Sequence, residues 1–143
     1  MPTRDATTAW TGDLSSGTGQ VILDSSNAGQ FPVSFATRSG DPNGQTSPEE
    51  LIAAAHSSCY SMQLSALLAQ DGTPPQRIDT SAEVKLEQQD GGFAITEIAL
   101  TVRATVPGAS GPPFQEAAEK AKEICPVSAA LAGTTITLDA SLT

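Results

Sequence analysis

Basic residues are scarce in this chain of 143 residues. Seven lysines and arginines stand against sixteen aspartates and glutamates, which gives a formal net charge of −9 at pH 7. A negative charge of this size repels the phosphate backbone of nucleic acids and the anionic surface of membranes. The composition therefore predicts that neither nucleic acid nor a membrane is a partner of this protein.

Cysteine and histidine are rarer still, with Cys59, Cys125 and His56 as their only representatives. No Cys-x-x-Cys pair is present, and two thiols with one imidazole are a thin ligand set, so we predict no zinc site. The first ten residues, MPTRDATTAW, lack the apolar run of a secretory signal and do not resemble a transit peptide, which favours a cytoplasmic chain. In a reducing compartment both thiols are expected to be free, and a disulfide between them would be more typical of transient catalysis than of a permanent bond.

Charged residues are absent between Leu51 and Ala69. This segment is not hydrophobic enough for a membrane-spanning helix, because it contains serines, a glutamine, a histidine and many alanines. A helix that is apolar or uncharged on nearly every side must be enclosed by protein, and one small sheet covers only one face. We therefore predict a homodimer with these helices at its interface. A monomer in which a second helix of the same chain covers the first is the alternative.

The order of the other elements predicts one α+β domain over residues 1–143. Three short strands, at Thr7–Asp13, Gln20–Asp24 and Gln30–Thr37, precede a loop. The segment SPEE at residues 47–50 has the Ser-x-x-Glu capping box and a proline in the first helical position, so a long helix begins there and ends near Gln70.

The second half of the chain continues with alternating apolar residues. These predict a hairpin of two antiparallel strands around Asp90, one over residues 78–86 and the other over 98–106. A second helix follows residues 112–113, with Phe114, Ala117, Ala118, Ala121 and Ile124 at helical spacing, and a final strand covers residues 134–142.

Cys59 has two interpretations, a packed core residue or a reactive thiol. Free cysteine is among the most buried residue types, which by itself favours the core. A reactive thiol needs a stabilised thiolate, and an ordinary thiol with a pKa of about 8.5 is only a few per cent ionised at pH 7. The helix dipole fades within about one turn, whereas Cys59 lies about three turns from the helix start. Arg38 is the only basic residue between Asp5 and Gln76, and it is therefore the local candidate for the cation.

His56 offers a rival account, since it lies one helical turn before Cys59 and could form a thiolate–imidazolium pair with it. The competing interpretation is an interior histidine whose ring nitrogens are satisfied, because the side chain lies in an apolar run and no carboxylate or amide is evident in the sequence to orient it. Cys125 lies just before Pro126 at a helix break, where backbone N–H groups could lower the pKa of its thiol modestly, although it could equally be core.

The segments SPEELIAAAHSSCYSM at residues 47–62 and KAKEICPVSAAL at residues 120–131 resemble the OsmC/Ohr family of osmotically induced and organic-hydroperoxide-resistance proteins. The residues WTGD (10–13), TR (37–38), FAIT (93–96) and ITLD (136–139) fit the same family, so the resemblance is colinear over essentially the whole chain. The Ala-Ala-His sequence at residues 54–56, before the first cysteine, is similar to that of the OsmC branch of the family. The resemblance implies an OsmC-like fold: an antiparallel sheet with a long central helix and a second helix, in an intertwined homodimer.

The resemblance also implies an activity, namely a thiol-dependent peroxidase that reduces organic hydroperoxides to alcohols in oxidative and osmotic stress defence. By this likeness Cys59 is the peroxidatic cysteine, Cys125 is the resolving cysteine, and Arg38 with Glu49 activates the thiolate and orients the peroxide. The family also implies that a dithiol, lipoyl-linked in character, reduces the Cys59–Cys125 disulfide, and that no flavin, haem or metal cofactor is needed.

Two other functions stay open at this point. A cysteine hydrolase or acyltransferase would use Cys59 and His56 and would need an oxyanion hole. A non-catalytic dimeric binding module would keep both thiols in its core.

The spacing of Glu49 and Cys59 carries a further prediction. Ten residues of helix correspond to about 15 Å along the axis, which is too far for both side chains to act on one peroxide. If two copies of the helix cross antiparallel near Ala54, Glu49 of one chain lies beside Cys59 of the other. The small side chains of Ala53, Ala54 and Ala55 would permit this close crossing. The sequence thus predicts active sites shared between two chains.

Overall fold

The computed structural model describes all 143 residues and contains six strands and four helices. The strands are β1 (Thr7–Thr11), β2 (Thr18–Ile22), β3 (Gln30–Val33), β4 (Arg77–Gln89), β5 (Gly92–Thr105) and β6 (Thr135–Leu142). The helices are α1 (Phe35–Ser39), α2 (Pro48–Gln70), α3 (Gly111–Ile124) and α4 (Pro126–Ala130). These elements confirm the predicted α+β class. The chain divides into two compact units, a first unit of Met1–Leu51 and a second unit of Ile52–Thr143. The prediction of a single domain stays a prediction.

The first unit contains a three-stranded antiparallel sheet in the order β1–β2–β3. Trp10 in β1 pairs with Gly19 in β2, and a Cβ atom at Gly19 would lie 2.8 Å from the indole ring. Only glycine therefore lets the indole lie against the neighbouring strand. The Trp10 Nε1–H donates to the carbonyl oxygen of Gly12 at 3.0 Å, which fixes the orientation of the ring.

The predicted third strand, Gln30–Thr37, is wrong beyond Val33, because the chain turns there into the short helix α1. Ser34 causes this change: it is the N-cap residue, and its Oγ accepts a hydrogen bond from the N–H of Thr37 at 3.3 Å. A serine that satisfies a free N–H in this way favours a helix start over a continued strand. As a result Arg38 lies in the last turn of α1.

The second unit contains the sheet β4–β5–β6, with β5 in the centre. The predicted hairpin is confirmed, with β4 and β5 antiparallel and a β-bulge between Lys85 and Leu86. The alternating residues of β5 that face the core are fully buried, namely Ile98, Leu100, Val102 and Ala104.

The prediction of an antiparallel sheet does not extend to β5 and β6, which run parallel. Helices α3 and α4 connect these two strands, and such a crossover returns the chain to the end of the sheet at which β5 began. Apolar alternation gave the face of β6 correctly, but it carries no information on strand direction.

The core of the second unit lies between its sheet and the helices. Residues of α2 and α3 contribute the largest buried side chains, among them Tyr60, Leu64, Leu68 and Phe114. Ile124, expected on the buried face of α3, is 45% exposed because the helix ends there and the chain turns at Cys125. None of the four helices combines the length and the hydropathy of a membrane-spanning segment.

One face of α2 is uncovered in the single chain. Its exposed residues are small or uncharged: Ala54, Ala55, Ser58, Met62, Ala66 and Ala69. Met62 is 72% exposed, which is unusual for a long apolar side chain in the middle of a 23-residue helix.

Candidate active site

Arg38 and Glu49 form an ion pair in the first unit. The guanidinium Nε lies 3.0 and 3.2 Å from the two carboxylate oxygens of Glu49, and Nη2 lies 2.7 Å from Oε1. Glu49 is 7% exposed, so its charge needs this partner to remain buried. The structure thus brings together two of the predicted site residues, and it leaves one guanidinium nitrogen, Nη1, outside this pair.

Glu49 is placed by the start of α2. The Oγ of Ser47 accepts the N–H of Glu50 at 3.1 Å, as the capping box predicts. The Glu50 carboxylate does not return this contact to the Ser47 backbone; it accepts a hydrogen bond from Thr46 Oγ1 instead. The loop before α2 is tied back by a hydrogen bond from the Thr46 N–H to the Pro32 carbonyl oxygen at 3.1 Å.

An apolar pocket of about 370 Å³ opens in the first unit beside this ion pair. Arg38 contributes to its wall, and the other lining residues are mainly hydrophobic, including Trp10, Leu14, Val21, Val33, Phe35 and Leu51. A guanidinium at the wall of an apolar pocket can hold a polar head group while the pocket takes an apolar tail.

Cys59 and Cys125 lie side by side in the second unit, with 2.9 Å between their sulfur atoms. Both thiols are free; Cys125 is buried and Cys59 is partly exposed. Cys59 belongs to α2, whereas Cys125 ends α3 and precedes α4. The Cys125 backbone leaves the helical region, with φ −53° and ψ 125°, and Pro126 begins the next helix. The break at residues 125–126 therefore sets the second sulfur against the first.

The two thiols titrate as a pair. Burial raises the pKa of Cys59, and the contact with Cys125 raises it further, while the Val127 N–H acts in the opposite direction. Burial also acts to raise the pKa of Cys125, but the contact with Cys59 and the N–H and hydroxyl groups of Ser128 outweigh it and lower that pKa. The contact thus acts in opposite directions on the two pKa values, and the N–H groups of Val127 and Ser128 in α4 favour the thiolate form of Cys125. No basic side chain shifts the pKa of either cysteine.

His56 does not contact Cys59. Its Nε2 lies 2.7 Å from Ser128 Oγ, and its Nδ1 is buried without a hydrogen-bond partner. Burial lowers the pKa of His56, so the imidazole is neutral at pH 7. The predicted thiolate–imidazolium pair is therefore not formed. His56 is an interior residue, as the competing interpretation expects, but only one of its two ring nitrogens has a hydrogen-bond partner. Ser128 had no role in the sequence analysis, although it stands three residues after Cys125, at the position where a helix-start residue faces back to its cap.

The structure places the four predicted site residues as two pairs, Arg38 with Glu49 and Cys59 with Cys125, and their catalytic roles stay predictions. No cluster of three or more histidine, cysteine, aspartate or glutamate side chains could hold a metal ion.

Comparison with known proteins identifies relatives over more than two thirds of the chain. The sequence is 47% identical over 133 residues to "Peroxiredoxin OsmC" of Escherichia coli, covering 93% of this chain and 92% of that protein. It is 33% identical over 99 residues to "Organic hydroperoxide resistance protein" of Xanthomonas axonopodis pv. citri, covering 68% of this chain and 66% of that protein.

The fold agrees with these relatives. The crystal structure of an organic hydroperoxide resistance protein from Elizabethkingia anophelis superposes with a TM-score of 0.77 at 27% identity, covering 100% of this chain and 98% of the other. The family model described as OsmC-like protein matches residues 40–139, which include Glu49 and both cysteines. The resemblance seen in the sequence is confirmed, and the chain belongs to the OsmC-like family.

Proposed function

We propose that this protein reduces organic hydroperoxides to alcohols with Cys59 as the peroxidatic cysteine and Cys125 as the resolving cysteine. The protein is a cysteine-based, hydroperoxide-reducing enzyme, which the names of its relatives, "Peroxiredoxin OsmC" and "Organic hydroperoxide resistance protein", support. The observation that carries the mechanism is the distance of 2.9 Å between the two sulfur atoms. A sulfenic acid on Cys59 would meet a second thiol at once, without any movement of the chain.

The reaction has two steps before reduction. The Cys59 thiolate attacks the outer oxygen of the peroxide, the O–O bond breaks, and the departing alkoxide takes up a proton to give an alcohol. The sulfur of Cys125 then attacks the sulfur of the Cys59 sulfenic acid, and the hydroxyl group leaves as water. The disulfide that results is reduced by an external dithiol, which the family resemblance suggests is lipoyl-linked. The cycle needs no flavin, haem or metal, and it would serve in oxidative and osmotic stress defence.

The pocket beside Arg38 favours an organic hydroperoxide over hydrogen peroxide. Each CH₂ group of an alkyl chain that is buried there would contribute about 0.8 kcal/mol to binding. Hydrogen peroxide has no group that gains from apolar surface. Arg38 at the pocket wall would hold the peroxide oxygens through its guanidinium N–H groups, while Glu49 keeps that guanidinium oriented.

Activation of Cys59 requires a cation that the second unit does not supply, since burial raises the pKa of this thiol and no basic side chain opposes it. Helix α2 is continuous from Pro48 to Gln70, so the ten residues between Glu49 and Cys59 span about 15 Å of helix axis. A second copy, crossing antiparallel at Ala54 and Ala55, would bring its Arg38–Glu49 pair to Cys59. The exposed, uncharged face of α2 is the surface that such a copy would cover.

A thiol count tests the proposed activity. The reduced protein is treated with one equivalent of cumene hydroperoxide, and free thiols are counted under denaturing conditions. We expect two thiols per chain to disappear, with one Cys59–Cys125 disulfide per chain by mass spectrometry. An unchanged thiol count would disprove the peroxidase. A matched treatment with hydrogen peroxide should consume thiols more slowly if the apolar pocket contributes to binding.

Mixed dimers test the shared site. A Cys59→Ser chain is refolded together with a Glu49→Ala chain, each nearly inactive by itself. One of the two sites in a mixed dimer would carry both Glu49 and Cys59, so activity should reappear. A mixture that stays inactive although mixed dimers form would mean that each site lies within one chain.

A further inference from the structure

Four side chains of the second unit lie close together, from His56 to Cys59. His56 Nε2 lies 2.7 Å from Ser128 Oγ, Ser128 lies in the first turn of α4 three residues after Cys125, and the Cys125 sulfur lies 2.9 Å from that of Cys59. The hydroxyl and N–H groups of Ser128 act to lower the pKa of Cys125. His56 is fully buried and Ser128 is 4% exposed. The two residues are 72 positions apart in sequence, so the fold alone brings them together.

The ring nitrogen of His56 that has no hydrogen-bond partner indicates which of its two nitrogens carries the proton. A neutral imidazole carries one N–H, and His56 Nδ1 is buried without any partner. If Nδ1 carried the proton, a buried donor would have no acceptor, which is the rarer kind of unsatisfied group. With the proton on Nε2, His56 donates to Ser128 Oγ, and the Ser128 hydroxyl proton is free to point to the Cys125 sulfur. The backbone of α4 adds the N–H of Ser128 on the same sulfur, although Cys125 makes no side-chain capping hydrogen bond of normal geometry.

We propose that Ser128, oriented by His56, is a positioning residue that donates a hydrogen bond to the Cys125 sulfur and prepares it to attack the sulfenic acid of Cys59. The inference rests on the proposed function, because it assigns these residues to the resolving step. In that step the Cys125 thiolate forms the S–S bond, the S–O bond of the sulfenic acid breaks, and the departing hydroxide takes up the proton that the Cys125 thiol released on ionising, so that it leaves as water. Cys59 sulfenic acid is reduced and the Cys125 thiolate is oxidised, so no further reagent is needed.

Few side chains act on the Cys125 sulfur. The titratable ones are Cys59 and Tyr60, both from α2, and Ser128 supplies a neutral hydroxyl group. His56 contacts Ser128 and not the sulfur. The Tyr60 hydroxyl donates to the Ala118 carbonyl oxygen at 3.0 Å, and Glu119 of α3 acts on Tyr60 rather than on the cysteine. Because no basic side chain shifts the pKa of Cys125, its negative charge depends on neutral donors, and removing one of them should be measurable.

The test separates the two chemical steps by rapid acid quenching after one equivalent of cumene hydroperoxide. Trapped sulfenic acid and intramolecular disulfide are quantified by mass spectrometry over a pH series. In Ser128→Ala we expect sulfenic acid to form at the wild-type rate and disulfide to form about tenfold more slowly at pH 7, the effect of losing one hydrogen bond to a charged group. The defect should shrink at higher pH, where Cys125 ionises without help.

Matched variants distinguish positioning from packing. Ser128→Thr keeps the hydroxyl and His56→Gln keeps an N–H near the Nε2 position, so both should retain most of the disulfide rate, whereas His56→Leu should behave like Ser128→Ala. Wild-type rates of disulfide formation at every pH in both Ser128→Ala and His56→Leu would overturn the proposal.

A measurement without peroxide makes the result independent of the enzyme activity. In a Cys59→Ser background, thiolate absorbance against pH reports Cys125 alone, and Ser128→Ala should move its titration to higher pH. If wild-type protein forms no sulfenic acid, the proposed function fails and this titration still decides the interaction. An unchanged titration would overturn the relay whatever the peroxide assay shows.

Discussion

The two units of the chain differ in how much core they bury. In the second unit, strand β5 and helices α2 and α3 share a continuous set of fully buried side chains. In the first unit, Val21 is the only buried apolar residue with a sizeable side chain, while Trp10 is 42% and Leu14 is 61% exposed. The thiol pair therefore lies in a region that makes its own core, and the Arg38–Glu49 pair lies in a region with an open apolar pocket.

By our proposal of a second copy, this difference indicates which pair of site residues needs that copy. The contact between Cys59 and Cys125 is held by packing within the second unit and needs nothing further. The Arg38–Glu49 pair is held by local hydrogen bonds, but the apolar side chains around it stay uncovered in one chain. A second copy that covers them would complete the first unit and, by our proposal, the active site.

The largest effect is expected from the cysteines. Cys59→Ser should abolish peroxide consumption, because the remaining sulfur, that of Cys125, is fully buried and cannot meet the peroxide. Cys125→Ser should permit about one turnover and then over-oxidise at Cys59, since the sulfenic acid has lost its neighbouring thiol. Peroxide consumption with a dithiol present, followed by mass spectrometry, measures both. Equal multiple-turnover rates for Cys125→Ser and wild type would make Cys125 a structural residue.

Truncation of one leucine in each unit compares their cores directly. Leu64→Ala should lower the free energy of unfolding by about 2 to 5 kcal/mol, because Leu64 is fully buried. Leu14→Ala should change it by no more than about 0.5 kcal/mol at protein concentrations low enough to keep the chains apart. Urea unfolding followed by circular dichroism gives both values. A large effect at Leu14 would break the comparison, and its dependence on protein concentration would identify a second copy as the cover.

Arg38→Met removes the cation that we assign to Cys59. The pKa of Cys59 in the assembled protein should rise, and peroxide reduction should slow by roughly 10²-fold, the effect typical of losing one positioned electrostatic donor. Thiolate absorbance against pH measures the pKa. Arg77→Met is the matched control, since Arg77 is an exposed residue paired with Asp79 and should leave the titration unchanged. An unchanged titration in Arg38→Met would remove Arg38 from thiolate activation.

The smallest effect is the loss of stability at acidic pH that His56, in the second unit, should cause. Burial lowers the pKa of His56 below its value of about 6.5 in the unfolded chain, so the unfolded state takes up a proton more readily. Wild type should therefore lose stability as the pH falls from 7 to 5, by at most about 1.4 kcal/mol per pH unit from this residue. His56→Gln should lack this component in urea unfolding. Parallel pH profiles of the two proteins would contradict it.

Local patterns predicted most of the fold. The SPEE segment gave the start of α2, because a capping serine, a first-turn proline and first-turn acidic residues act on their own helix. Alternation gave the hairpin of β4 and β5, since side-chain direction in a strand repeats every two residues. Sequence reasoning missed α1, because several hydrogen bonds from Thr37 and Arg38 to Ser34 hold residues 34–38 in a helical turn, against the strand pattern of the sequence.

What the sequence by itself determined is the set of reactive groups and their scarcity: two cysteines, one histidine, one arginine near the start of α2 and an uncharged helix. Their identity follows from composition and motif, which need no coordinates. Tertiary structure alone decided that Cys125 lies against Cys59, that His56 contacts Ser128 and that β6 runs parallel to β5. Those contacts join residues about 40 to 70 positions apart, and only the packing of α2, α3 and α4 on the sheet brings such distant positions within reach of a hydrogen bond.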